Sequence, residues 1–313
     1  MTGLIYDAGA DPEISLVILD KDGTILDFNK TWLPTFKACA EAVAVTCGEP
    51  GLEPALLKAG GWIDGPDGPS VSPTGEFLHG TVKSLAQEWI DTQPIVASRY
   101  AANPAKLEEL IDAINDEGSV RDAAPLGEVE VTLRQLRAAG VALAVVTNDQ
   151  EATARRQLDR LGWSSLFQTI VGADSGYGPK PGAGGVRHCI DVAGVPARNA
   201  IMCGDALGDM QAGQNAGCAF TVALWPDREA LPAGLATAAC RMETIAQLPA
   251  ALAAAGQLSL SSSRSSALVQ GDAPATVPLQ MNASAELAAA AAARVDKGII
   301  SMVQSSAPLG RVH

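Results

Sequence analysis

The chain has 313 residues, of which 47% are hydrophobic, and a formal net charge of −13. Its length suffices for one large domain or two smaller ones, and its acidity argues against a nucleic-acid partner or docking on a membrane of anionic lipid, because both need basic patches. Six scattered cysteines without a C-x-x-C pair and only three histidines argue against a usual zinc site, and without a basic leader or a long apolar run we expect a soluble, cytoplasmic protein.

The first predicted element is a buried strand over residues 14–19, which the pentapeptide D-K-D-G-T follows at 20–24. Residues i and i+2 of an extended backbone point to the same side. The spacing therefore predicts that Asp20 and Asp22 face one way, while Lys21 points away from them.

The next stretch, residues 30–121, is mostly helical. Residues 30–45, 81–93 and 104–118 are predicted to form helices, whereas 60–77 is rich in Gly, Pro and Asp and is predicted to be a loop. This composition indicates a helical insertion directly after the first strand.

Helices and strands alternate in the rest of the folded region. The predicted helices are 127–140, 149–162 with Asp149 as N-cap, 181–194 and 207–217, and the predicted strands are 141–147, 167–174, 199–205 and, as the final strand, 219–225. Continuous apolar strands that alternate with helices are typical of a parallel sheet covered on both faces. We therefore predict an α/β fold, a Rossmann-like parallel sheet with a mostly helical cap inserted after its first strand.

Three regions follow from this pattern. Residues 12–30 and 122–255 are predicted to form the α/β core domain, and residues 31–121 the helical cap domain. The remaining residues, 256–313, form a Ser- and Ala-rich, low-complexity tail. It has too few large apolar residues to bury a core, so we expect it to be disordered.

Polar side chains follow four of the predicted strands. Each group alone is explained by a turn or a helix cap, but in an open α/β sheet the carboxyl ends of the strands form one edge where ligands bind. That edge would combine carboxylates, a hydroxyl, an amide and an ammonium group. The residues are Asp20, Asp22, Thr147, Asn148, Lys180, Asp205 and Asp209.

Four motifs in this order resemble those of the haloacid dehalogenase-like hydrolases. They are D-x-D-G-T at 20–24, Thr147 after a second strand, Lys180 followed by proline, and G-D-x-x-x-D at 204–209. The resemblance covers residues 14 to about 250. The insertion resembles the C1-type cap of that superfamily, and its length and Gly/Pro-rich loop resemble the phosphoglycolate phosphatase-like branch.

The resemblance implies a role for each acidic residue. Asp20 would be the nucleophile that forms an aspartyl-phosphate, and Asp22 the general acid that protonates the leaving group and then the base toward water. Asp20, Asp205 and the backbone carbonyl of Asp22 would bind Mg²⁺, with Asp209 contacting the same shell through water.

The resemblance also implies how the phosphoryl group is bound. Lys180 would offset negative charge on the nucleophile and on the transferred group. Thr147 and Asn148, with the loop that contains Gly23 and Thr24, would bind phosphate. Gly23 would allow the turn, and Thr24 is expected to hydrogen-bond Asp22.

The function that follows is a Mg²⁺-dependent phosphatase for a small phosphorylated metabolite, phosphoglycolate-like or a sugar phosphate. Dehalogenases of the superfamily lack the second aspartate, so Asp22 favours phosphate chemistry. A phosphonatase would need a cap lysine, and none of Lys37, Lys58 and Lys83 has a supporting context. A sugar phosphomutase and a catalytically weak binding or scaffold protein remain alternatives.

Overall fold

The computed structural model describes residues 13–66, 68–72, 74–79, 81–226 and 230–258. The strands in chain order are β1 (Leu16–Leu19), β2 (Trp62–Gly65), β3 (Gly68–Val71), β4 (Ala142–Val146), β5 (Thr169–Val171), β6 (Ala200–Gly204), β7 (Phe220–Leu224) and β8 (Cys240–Met242). The α-helices are α1 (Phe28–Thr46), α2 (Glu53–Ala59), α3 (Glu76–His79), α4 (Val82–Thr92), α5 (Pro94–Tyr100), α6 (Ala105–Arg121), α7 (Val129–Ala138), α8 (Glu151–Arg160), α9 (Gly184–Ala193), α10 (Leu207–Ala216) and α11 (Leu248–Ala254).

Six parallel strands form one sheet in the order β5-β4-β1-β6-β7-β8. Strand β1 lies between β4 and β6, and its last residue, Leu19, pairs with Val145 on one side and Cys203 on the other. All strands run the same way, so the loops after β1, β4 and β6 leave the sheet at adjacent points of one edge. This topology brings the polar segments of the sequence together.

Alternate residues of β1 supply two apolar cores, one on each face of the sheet. Val17 and Leu19 pack in a cluster with Leu133 of α7 and Leu158 of α8. The opposite face of β1 packs in a second cluster with residues of α9 and α10, among them Val186. Because both faces are covered, the strands are apolar throughout, and the predicted Rossmann-like α/β fold is confirmed.

Residues 29–122 form a second compact unit, which contains α1 to α6 and an antiparallel hairpin of β2 and β3. Its core is aromatic: the ring of Phe36 stacks on that of Phe77 at 3.9 Å, and the indole of Trp89 is buried and donates to the Leu56 carbonyl at 2.9 Å. Within the part of the chain that the structure describes, no helix combines the length and apolarity needed to cross a membrane.

The structure differs from the sequence prediction at short elements. The final strand is β8, not residues 219–225, and the segment predicted to be a loop contains the β2–β3 hairpin. Helix α8 begins at Glu151 with Gln150 as its N-cap, so the predicted N-cap at Asp149 is wrong.

The predicted tail lies outside the described residues except for residues 256–258. Within those three, Gln257 and Leu258 are buried, and the Gln257 carbonyl accepts a hydrogen bond from the Ile14 backbone N–H at 2.9 Å. Residues 257 and 258 therefore pack with the α/β unit.

Candidate active site

The loop after β1 begins the site. Asp20 is 7% exposed, and its backbone N–H donates to the Cys203 carbonyl of β6 at 2.9 Å. Gly23 has a φ of +77°, and a Cβ at this position would overlap the carboxylate of Asp205. The D-K-D-G-T sequence needs glycine here because the backbone both turns and passes against an acidic side chain.

The alternation rule predicts that Lys21 points away from both aspartates. In the structure it does not. Its side chain is fully buried, and its Nζ lies 2.6 Å from Oδ2 of Asp22. The rule fails because β1 ends at Leu19 and the backbone bends at Lys21, so the alternation of a strand does not continue through the three charged residues. Lys21 therefore contacts one of the two carboxylates, and Lys180 contacts the other.

The loop after β6 contributes Asp205 and Asp209. Oδ2 of Asp209 accepts a hydrogen bond from the backbone N–H of Ala206 at 3.0 Å, where α10 begins. A Cβ on Gly204 would overlap the Asp209 carboxylate, so the glycine of the G-D-x-x-x-D motif makes room for its last residue. The hydroxyl of Thr24, expected to bond Asp22, instead donates to Oδ1 of Asp205 at 3.4 Å.

Lys180 links the two aspartate-bearing loops. Its Nζ forms an ion pair with Oδ1 of Asp20 and lies 2.6 Å from Oδ1 of Asp209. Asn148 binds the backbone of Lys180 at both ends of its amide: its Nδ2 donates to the Lys180 carbonyl at 3.1 Å, and its Oδ1 accepts from the Lys180 N–H at 2.8 Å. Asn148 therefore braces the loop that presents the ammonium group.

Thr147 directly follows β4 and is buried. Its backbone N–H donates to the Val171 carbonyl at 2.9 Å, and its hydroxyl oxygen accepts a hydrogen bond from the Asp149 N–H at 3.1 Å. A hydroxyl that accepts from the backbone can still donate its own hydrogen. Thr147 therefore has the chemistry to bind a phosphoryl oxygen.

The site carries more negative than positive charge, and the pKa values reflect this. Burial raises the pKa of Asp20 to about 6. The charge of Lys180 opposes this shift, and the charges of Asp209 and Asp22 add to it. Burial and the charges of Asp20 and Asp209 raise the pKa of Asp205 well above its usual range, although Lys180 opposes them. Without a further cation, the ionised carboxylates repel one another.

The acidic cluster fits a hard divalent cation. One oxygen each from Asp20, Asp205 and Asp209 lies within 4.8 Å of the others, and among the described residues this group of acidic side chains could bind a metal ion. An all-oxygen, carboxylate-rich set suits Mg²⁺ or Ca²⁺ rather than a softer metal. The raised pKa of Asp205 points the same way, because burial and neighbouring carboxylates raise it and a bound cation would oppose both effects.

Three contacts of the site carry no signal in the sequence. Besides Asp22, the Lys21 Nζ lies 3.0 Å from Oδ2 of Asp149 and donates to Oε1 of Gln157 at 2.6 Å. Asp149 reads as a helix cap and Gln157 as one polar residue of an amphipathic helix. Asn148 reads as a phosphate ligand rather than a brace, because its partner lies 32 residues away.

Comparison with known proteins places the chain in a family. A family model described as haloacid dehalogenase-like hydrolase matches residues 76–223. The chain is 31% identical to pyrophosphatase PpaX of Bacillus velezensis over 69% of its own length and 85% of that protein. The chain belongs to the haloacid dehalogenase-like hydrolases.

Two further likenesses fit this assignment. The chain is 30% identical to a phosphoglycolate phosphatase of Xylella fastidiosa, over 67% of its own length and 80% of that protein. It is 38% identical to a phosphoglycolate phosphatase of Neisseria meningitidis, in a match that spans 30% of this chain and 40% of that protein.

Solved structures support the fold of this hydrolase. A HAD-superfamily hydrolase, subfamily IA, variant 1, from Geobacter sulfurreducens has a TM-score of 0.55 and 19% identity, covering 77% of this chain and 97% of that one. The family model begins at residue 76, so the D-K-D-G-T segment lies outside its match. In the structure, β1 places that segment between the loops after β4 and β6. Both of those loops lie within the residues that the family model matches.

Proposed function

We propose that this hydrolase is a Mg²⁺-dependent phosphatase that acts on a small phosphomonoester through an aspartyl-phosphate on Asp20. One observation carries the proposal: the buried Lys180 pairs with the buried Asp20 and Asp209, and the half-buried Asp205 belongs to the same cluster. One ammonium group paired with two of three carboxylates is poorly explained as a stabilising ion pair, because the leftover negative charge costs free energy. Binding a cation and a phosphoryl group explains it.

The cation site would use the chain's own oxygens. Asp20, Asp205 and the backbone carbonyl of Asp22 would bind Mg²⁺, and Asp209 would contact its shell. When bound, the ion offsets negative charge on the phosphoryl oxygens. Side chains of the protein would carry out the attack on phosphorus and the proton transfers.

Two carboxylates would perform the chemistry. A carboxylate oxygen of Asp20 attacks phosphorus, and the bond to the leaving oxygen breaks as that oxygen takes a proton from the Asp22 carboxyl group. The Asp22 carboxylate then removes a proton from water, whose oxygen attacks phosphorus and releases phosphate and free Asp20. Proton transfer of this kind typically contributes about 10²–10⁴-fold in rate.

Other side chains would orient the phosphoryl group. The Lys180 ammonium and the Thr147 hydroxyl would contact its oxygens, with backbone N–H groups of the loop after Asp20. Burial alone would lower the pKa of Lys180, but Asp20 and Asp209 more than offset this and raise it, so the ammonium form persists at neutral pH. Asn148 would act through Lys180 rather than on phosphate directly.

The relatives suggest two substrate classes. One is named a phosphoglycolate phosphatase and the other a pyrophosphatase, at 30% and 31% identity. We favour a small phosphomonoester such as phosphoglycolate, and inorganic pyrophosphate is the second candidate. Both reactions would use the same nucleophile, so a panel containing both compounds separates them.

Phosphate release from such a panel tests the proposal, with Mg²⁺ and with EDTA. We expect Mg²⁺-dependent release that Asp20→Asn abolishes. A mutase would yield an isomeric phosphate ester instead of free phosphate, and a scaffold protein would release nothing from any compound. Release that persists in EDTA, or in Asp20→Asn, would contradict the mechanism.

A further inference from the structure

Lys21 is a buried charge that the mechanism above does not use. Its side chain is among the largest fully buried side chains of the described residues. Burying an ammonium group is costly unless acceptors surround it. Here Oδ2 of Asp22 and Oε1 of Gln157 each lie 2.6 Å from the Nζ, and Oδ2 of Asp149 lies at 3.0 Å.

The two partners other than Asp22 belong to the segment after β4. Asp149 is fixed by backbone bonds: its N–H donates to the Thr147 hydroxyl at 3.1 Å, and its Oδ1 accepts from the Gln150 N–H at 2.7 Å. Gln157 is buried on α8. Lys21 thus ties the loop after β1 to a neighbouring loop and helix.

Charge favours this arrangement. Two of the three acceptors around the buried Lys21 ammonium group are carboxylates, those of Asp22 and Asp149. Groups of opposite charge therefore take the place of water around the ammonium group. A neutral residue of equal length would leave those two carboxylates without this partner.

Asp22 differs from its partner in exposure. Its side chain is 21% exposed, whereas that of Lys21 is completely buried. One carboxylate oxygen, Oδ2, contacts the buried ammonium. A carboxylate fixed through one oxygen has the orientation of its other oxygen fixed as well, and proton transfer depends on such orientation.

We propose that Lys21 is a positioning residue that orients the Asp22 carboxylate for proton transfer, with Asp149 and Gln157 anchoring its ammonium group. This inference rests on the proposed phosphatase function. Lys21 touches neither substrate nor metal in this scheme; it acts through Asp22. Its loss should therefore reproduce, in weaker form, the loss of Asp22.

The test measures single-turnover phosphoryl transfer from two substrates in Lys21→Met. Phosphoglycolate expels a strongly basic alkoxide that needs a proton, whereas 4-nitrophenyl phosphate expels a weakly basic phenolate that does not. We expect the rate with phosphoglycolate to fall about tenfold or more relative to 4-nitrophenyl phosphate, a fraction of the 10²–10⁴-fold typical of acid catalysis. Lys37→Met, at a half-exposed position in the second unit, is the matched control and should leave the ratio unchanged.

A double-mutant cycle separates positioning from general stability. Adding Lys21→Met to Asp22→Ala should change the substrate ratio no further, because the group that Lys21 orients is already gone. A further selective loss in the double variant would overturn the proposal. Equal losses on both substrates in Lys21→Met would also overturn it, since a structural defect slows both reactions alike.

Two more measurements keep the outcome decisive. If Lys21→Met does not fold, Asp149→Asn removes one anchoring charge while keeping side-chain size, and it should shift the ratio in the same direction. An unchanged ratio in that variant would then count against the proposal. If Asp22→Ala itself leaves the ratio unchanged, the acid assignment under the proposed function has failed instead.

Discussion

Asp205→Asn should stabilise the metal-free protein while destroying its response to Mg²⁺. Oxygens of Asp20, Asp205 and Asp209 lie within 4.8 Å of one another, with Lys180 pairing two of these carboxylates. At that distance and an effective dielectric constant of about 20, two like unit charges repel by about 3.5 kcal/mol. An amide removes one of the charges and preserves the shape of the side chain.

The net gain should be smaller than one such repulsion. Because its pKa is raised, Asp205 can escape part of the penalty by binding a proton. We therefore expect the free energy of unfolding in EDTA to rise by about 1–2 kcal/mol, within the range typical of single stabilising substitutions. For a domain of about 150–250 residues, such a gain corresponds to an increase in Tm of about 2–8 °C.

Thermal melts in EDTA and in rising Mg²⁺ measure both effects. Mg²⁺ at a hundred times its Kd should stabilise the wild type by about 2.7 kcal/mol through mass action. Asp205→Asn should lose most of this stabilisation. Asp191→Asn, at an exposed position on α9, is the matched control and should change neither quantity. A lower Tm in EDTA for Asp205→Asn, or a Mg²⁺ response equal to wild type, would refute the reasoning.

Burial of the acidic cluster, together with the same repulsion, predicts a pH dependence in EDTA. The pKa of Asp20 is raised to about 6 and that of Asp205 is raised as well. The folded state therefore binds more protons than the unfolded state between about pH 4 and these raised pKa values. Stability contributed by these groups is therefore lost as pH rises through their folded pKa values. The loss between pH 4 and 6 should be shallower in Asp205→Asn, and parallel curves for the two proteins would contradict the assignment.

Three further outcomes are expected. Asp20→Asn should lose detectable phosphatase turnover yet keep the circular dichroism of the wild type; measurable turnover would exclude Asp20 as nucleophile. Asn148→Ala should lower kcat by about tenfold or more, because two hydrogen bonds that fix the Lys180 backbone are lost, and an unchanged kcat would show that the brace is dispensable. Truncation after Leu258 should leave Tm and turnover nearly unchanged. Truncation after residue 256 should lower Tm, because it removes the buried Gln257 and Leu258. Equal Tm values for the two truncated proteins would contradict the packing of these two residues.

The sequence predicts the parts of the site that belong to continuous motifs. A fully apolar run identifies β1 because both faces of the strand are covered, and Asp20 and Asp205 follow directly from their positions after β1 and β6. The edge on which they meet follows from the parallel pattern alone. Local sequence suffices here because the strand, its turn and its carboxylate are contiguous.

Contacts between distant segments could not be predicted in this way. A lysine after a strand is normally expected at the surface, and only the packing of α8 against the sheet shows that Lys21 is buried with Asp149 and Gln157. Asn148 and Lys180 are 32 residues apart. The sequence predicts a separate role for each, Asn148 as a phosphate ligand and Lys180 as a cation that offsets negative charge. These pairings depend on tertiary packing, which the spacing of residues along the chain does not encode.

Short elements were missed for a different reason. Strand β8 has three residues, and the hairpin strands β2 and β3 have four each, with Gly and Pro among them. Runs this short give no period to recognise, and Gly and Pro favour a loop prediction. Backbone pairing, supplied by a neighbouring strand, is what defines them.

Trapping the phosphoryl group on the protein tests the central claim most directly. Asp22→Ala should transfer phosphoryl from 4-nitrophenyl phosphate, whose leaving group needs no proton, but should hydrolyse the product slowly because the base is missing. Acid quenching followed by mass spectrometry of peptides should then find one phosphoryl group on the peptide that contains Asp20, and none when Asp20→Asn is combined with Asp22→Ala. Release of nitrophenolate without any protein-bound phosphoryl group, or a phosphoryl group on a different residue, would contradict the account.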